Sequence, residues 1–136
     1  MSNRRMAREC ALQSLYYADS MKSASETTLS HYTDGFQKEL GENFSFCEDL
    51  VNGTHKYLAQ IDTLVSAYAK NWTVARMSAV DRSILRMATY EMVFSPDHAP
   101  IPAIIDEAIE LAKKYSTENS SKFINGLLDQ LKKERK

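Results

Sequence analysis

The stretch that decides the fold is Ser78 to Phe94, SAVDRSILRMATYEMVF. Ile84, Leu85, Ala88 and Met92 recur at helical spacing and form one apolar stripe, and Val80, Met87 and Phe94 make a second ridge beside it. A surface helix uses one such stripe, so two predict a helix packed from at least two sides at the centre of the core. Ser78 with Asp81 three residues on has the capping-box pattern, in which a side-chain oxygen accepts from an orphan amide while the acid reaches back. Pro96 marks the end, because the residue before a proline is pushed out of the α region.

Around this helix, 136 residues suffice for one domain spanning 1–136 that buries a core without metal or disulfide staples. Only four glycines and three prolines interrupt the chain, which predicts an all-α fold. Cys10 and Cys47 lie far apart without a CxxC pair, and there is no apolar leader or long apolar run, so a reducing, cytoplasmic setting is expected, with no membrane partner. A net charge of −1 argues against DNA as a partner for the whole surface; any nucleic-acid site has to be a local patch.

Asn3 to Lys22 predicts a first helix whose narrow face of Ala7, Cys10, Ala11, Ser14, Ala18 and Met21 lets another helix approach closely. Thr27 to Leu40 follows, with Leu29, Tyr32, Phe36 and Leu40 inward and Gly41 as its stop. Phe44 to about Lys70 reads as a third helix, weakened or bent at Gly53, and Trp72 anchors the connection to the central helix. The prolines cluster in Ser95 to Pro102, read as the seam between two sub-bundles. Ala103 to Tyr115 carries acids early and lysines late, as the helix dipole favours, and Ser116 to Ser120 caps a last helix with the stripe Ile124, Leu127, Leu128 and Leu131. Lys132 to Lys136 reads as a solvated tail.

Nothing in the pattern predicts an enzyme. His31, His55 and His98 are isolated and have no second ligand at helical spacing, so neither metal nor cofactor is expected. Cys10 lies on the packing face, and Asp106 and Glu107 are early helix acids pointing about a hundred degrees apart. Two features stand out. Arg4, Arg5 and Arg8 load a helix start, where cations oppose the dipole but attract polyanions, although a solvated terminus has the same pattern. Phe123 lies off its helix's core stripe beside Asn119 and Lys122, the ingredients for stacking a single-stranded base and holding its phosphate. A Phe filling a side pocket fits the pattern equally well.

The blocks NRRMARECALQSLYYAD, AVDRSILRMATYEM, IIDEAIELAKKYS and SSKFINGLLDQL together resemble the NusB family over nearly the whole chain. The resemblance implies two packed three-helix sub-bundles and a transcription antitermination factor. Such a factor binds boxA RNA of ribosomal RNA leaders together with NusE, a small-subunit ribosomal protein, within the RNA polymerase antitermination complex. Carried over by position, it implies RNA contacts at Arg4, Arg5, Arg8, Tyr16, Asn119, Lys122 and Phe123, and partner contacts at Tyr68 and Asp81. Met6 interrupts what is often a longer arginine run, implying weaker RNA affinity without the partner, and Asp106 stands where Asn is common. The alternative is a helical adaptor or a domain related to the N-terminal part of an RNA cytosine methyltransferase; the five residues after Leu131 leave no room for a catalytic domain.

Overall fold

A computed structural model describes residues 3–20, 26–70, 73–96 and 99–135. Met21, Trp72 and His98 lie outside them, as does the side chain of Leu29. The described residues form eight α-helices and no strand: α1 (Asn3–Ser20), α2 (Glu26–Asp34), α3 (Gln37–Leu40), α4 (Phe44–Lys56), α5 (Leu58–Tyr68), α6 (Ala79–Thr89), α7 (Ile101–Tyr115) and α8 (Glu118–Leu131). The fold is all-α, as the glycine and proline content predicts.

The central helix is where the double stripe puts it. α6 packs against α1, α4, α5, α7 and α8, and Ile84, Leu85, Met87 and Ala88 are all buried. On one side α1, α2 and α4 form a mutually packed set; on the other, α8 packs on both α5 and α7. The small-residue face of α1 explains its closeness to α4 and α6, since Ala7, Cys10, Ala11, Ser14 and Ala18 are all buried. The chain crosses between the two sets at Tyr57, where α4 ends and α5 begins.

Four local expectations need correction. Phe44 to Lys70 is two helices, broken at Tyr57 rather than at Gly53. The Tyr57 ring stacks on Phe94 at 4.8 Å, so an aromatic contact fixes the corner. Gly53 instead permits a close approach: a Cβ there would stand 2.0 Å from Cζ of Tyr90. The segment Thr27 to Leu40 is likewise divided, by a turn at Gly35 and Phe36, although Gly41 stops it with a φ of 55° as expected.

The third correction concerns the end of the central helix. After Thr89 the chain makes a π turn over Tyr90–Phe94, closed by the Ser95 amide on the Tyr90 carbonyl at 2.9 Å. The fourth is the tail. Arg135 donates from Nε to the Met92 carbonyl at 2.6 Å and from Nη2 to that of Glu91 at 3.3 Å, both in the π turn, and from Nη1 to the Ala99 carbonyl ahead of α7 at 2.8 Å. Glu134 accepts from the Tyr68 hydroxyl. Glu134 and Arg135 are therefore docked, while Lys132 and Lys133 are exposed as expected and Lys136 lies outside the described residues.

Candidate nucleic-acid interface

The first patch is the start of α1. Arg4 is exposed and its guanidinium lies 4.3 Å from the centroid of Phe46, a cation–π distance. Arg5 is half-exposed and donates from Nε to Glu107 at 3.0 Å. Arg8 is different in kind. It is 6% exposed, and its Nε and Nη2 donate to the two carboxylate oxygens of Glu91 at 2.7 and 2.8 Å. Glu91, in the π turn, is 4% exposed. A bidentate pair inside a helical core is held there by mutual need, since either charge alone would be severely desolvated. Arg8 thus sits beneath the surface that Arg4 and Arg5 present.

The acids beside α1 shape the field. A groove of about 170 Å³ between α1 and α7 is lined by Arg5, Arg8, Lys114, Glu9, Glu107 and Glu110, three cations against three acids. Burial pushes the Glu9 carboxyl up, but hydrogen bonds from Lys114 and Tyr115 outweigh it and hold the group below its ordinary value. Arg5–Glu107 and Glu9–Lys114 are rungs between α1 and α7, so Glu107 serves as an ion-pair partner and not as an acid catalyst. Tyr16 continues the Arg5, Glu9, Gln13 side of α1 at helical spacing. It is 36% exposed and stands edge-on to Tyr17, which in turn leans on Tyr32; both ring pairs are 5.7 Å apart.

The second patch forms at the start of α8. Thr117 caps this helix, its hydroxyl oxygen accepting from the Ser120 amide at 3.0 Å. The cap aims the first turn outward, leaving Asn119 and Lys122 exposed with no side-chain hydrogen-bond partner among the described residues. Phe123 is half-buried and forms a ridge between two grooves. One, of about 290 Å³, is lined by Arg76, Ser78, Asp81, Asn119 and Ser120. The other, of about 340 Å³, is lined by Tyr68, Lys70, Lys122, Gly126 and Gln130. The fold therefore brings five site residues predicted from the sequence, Tyr68, Asp81, Asn119, Lys122 and Phe123, onto one face drawn from α5, α6 and α8.

Asp81 does more than cap, and one half of the expected capping box is absent. Ser78 Oγ accepts from the Asp81 amide at 3.2 Å as predicted. The carboxylate, instead of reaching back, accepts from the hydroxyls of Ser116 at 2.8 Å and Ser120 at 2.7 Å. It thereby ties α6 to the turn that opens α8. Tyr68 is similarly engaged: its bond to Glu134, aided by burial, raises the phenol above its ordinary value, and the Lys133 ammonium stands 5.1 Å from its ring centroid.

Sequence reasoning missed Glu91 and Phe46, although a signal for the first was present. Glu91 follows Ala88 by three residues on the buried stripe, and an acid there requires a buried cation. Phe46 was read simply as core; its role as the plate under Arg4 and Arg8 follows only from the packing of α4 on α1. Burial raises the thiols of Cys10 to about 11 and Cys47 to about 12, consistent with packing residues. Among the described residues no cluster of His, Cys, Asp and Glu is placed to hold a metal, and no helix is long and apolar enough to cross a membrane.

Comparison with known proteins identifies the fold and the family. The model of the NusB family matches residues 5–133. A transcription antitermination protein NusB of Elusimicrobium minutum (strain Pei191) is 59% identical over 137 aligned residues, covering 100% of this chain and 97% of that protein. The solved structure of T. maritima NusB has a TM-score of 0.83 at 37% identity, covering 97% of this chain and 92% of that one. A crystal structure of antitermination factors NusB and NusE in complex with dsRNA shares the fold, with a TM-score of 0.83 at 23% identity and 98% of each chain covered. With a match that spans both patches and the core between them, the chain belongs to the NusB family of transcription antitermination proteins.

Proposed function

We propose that the protein binds boxA-type RNA of ribosomal RNA leaders jointly with NusE, and so keeps RNA polymerase elongating through those transcripts. The observation that carries this reading is the Phe123 ridge. A half-buried aromatic ring flanked by an amide and an ammonium with no hydrogen-bond partners among the described residues is what base stacking and phosphate contact require. Arg4 and Arg5 extend the electropositive track, while Arg8 supports it from below. NusE docks on the same face through Asp81 and Tyr68, next to the RNA, so that each ligand completes the other's site. Family membership supports the antitermination role.

The test is a titration of labelled boxA-like RNA, with a scrambled RNA as control, with and without NusE. Preference for the boxA-like RNA that increases when NusE is present is the expected result. Equal binding of both RNAs in both conditions refutes the reading.

A further inference from the structure

We infer that the RNA base stacked on Phe123 lies on its Gly126 side, in the groove between Phe123 and Tyr68, with its phosphate on Lys70 and Lys122. This rests on the RNA-binding reading above and says which of the two grooves takes the nucleotide. Gly126 is the decisive residue. It sits in the interior of α8 and is exposed, and a Cβ added to it would meet nothing within 4 Å. Glycine in a helix interior is less favourable than alanine, because more backbone freedom is lost on folding. Nothing in the packing of the described residues offsets that cost. What a missing Cβ does offer is a bare strip of helix backbone, which a flat ligand can approach closely.

The charges around the two grooves point the same way. The Gly126 groove carries Lys70 and Lys122 and no acid on its lining; behind its Tyr68 wall, Lys133 stands over the ring and Glu134 accepts from the hydroxyl, so those two charges offset each other. The groove on the other side of Phe123 sets one cation, Arg76, against the Asp81 carboxylate, so it offers a phosphate less net positive charge. A nucleotide in the Gly126 groove thus has an aromatic wall on each side, bare helix backbone at Gly126, and ammonium groups at its edge. Asp81 is left for NusE, and Tyr68 becomes a wall shared by both ligands.

Gly126→Ala separates a binding role from a structural one, because the two move in opposite directions. The variant is expected to keep or raise its urea midpoint, since the added methyl is a better helix former in open space. It is expected to weaken binding of boxA-like RNA, measured without NusE, by about tenfold, the effect of forcing one methyl into a filled site. Lys70→Gln should weaken binding further and flatten its salt dependence. Unchanged RNA affinity of Gly126→Ala beside a loss in Phe123→Ala overturns the inference and puts the base on the Asp81 side. Loss of the NusE-dependent gain alone, with RNA affinity intact, also overturns it by assigning the groove to the protein partner. If wild type does not distinguish boxA-like from scrambled RNA, with or without NusE, the functional reading itself fails.

Discussion

The starts of α1 and α8 carry similar polar equipment and use it in opposite ways. Each combines cations with an aromatic ring. At α1 each cation already has a partner within the fold, Arg8 on Glu91 in the core and the exposed Arg5 and Arg4 on Glu107 and Phe46. At α8, Lys122 and Asn119 project from the fold beside Phe123, the Asp81 carboxylate is occupied by two serine hydroxyls, and the exposed Glu118 stands in the first turn, where the helix dipole favours an acid. The difference shows that a charge cluster in a sequence does not identify a binding surface. Burial and counter-charge decide how much of it remains for a ligand.

The strongest way to break this contrast is Arg8→Ala. If Arg8 is an internal strut, the variant loses about 3 to 5 kcal/mol of stability, because Glu91 is left charged and unpaired in the core. Replacing both, as Arg8→Met with Glu91→Leu, should recover most of the loss in a urea transition. An Arg8→Ala protein of wild-type stability with weakened RNA binding would instead place Arg8 with the surface residues.

Phe123→Ala probes the other patch. Specific RNA affinity should fall by about 1 to 3 kcal/mol, the worth of a base–aromatic stack. The stability change should be well below the about 3 to 5 kcal/mol of a fully buried ring, since Phe123 is half-buried. A large stability loss with unchanged affinity per folded molecule would make Phe123 a packing residue.

Arg5→Ala lies between the extremes. Its exposed ion pair with Glu107 is worth about 0 to 1 kcal/mol, so folding should hardly respond. The salt slope of RNA binding should flatten by about 0.7 if Arg5 leaves Glu107 for a phosphate. An unchanged slope means that Glu107 keeps it.

The smallest effect is a pH dependence confined to the α1–α7 groove. The Glu9 carboxyl is held below its ordinary value in the folded state, so its contribution is fully present above the unfolded value of 4.5 and is lost as pH falls through the folded one. The stability difference between wild type and Glu9→Gln should therefore shrink on acidification below that point. A difference independent of pH would show that the Glu9 ion pair contributes nothing.

What the sequence determined by itself was whatever depends on local periodicity and on the ordered set of family blocks. The double stripe through Leu85 identified the central helix, the small-residue face of α1 identified its close packing, and the off-stripe position of Phe123 marked it as a residue to explain. Tertiary structure alone decided the rest. A helical wheel assigns faces within one segment, so it could not show that Tyr57 breaks Phe44 to Lys70, because the stacking partner Phe94 lies in a distant turn. Nor could it pair Arg8 with Glu91, separated by 83 residues, or turn the Asp81 carboxylate from its own helix start to Ser116 and Ser120. The free energy of a charged group is set by which opposite charges and how much solvent surround it, and both are properties of the packed chain. Pattern could name the charges, but only packing could show which of them still face outward.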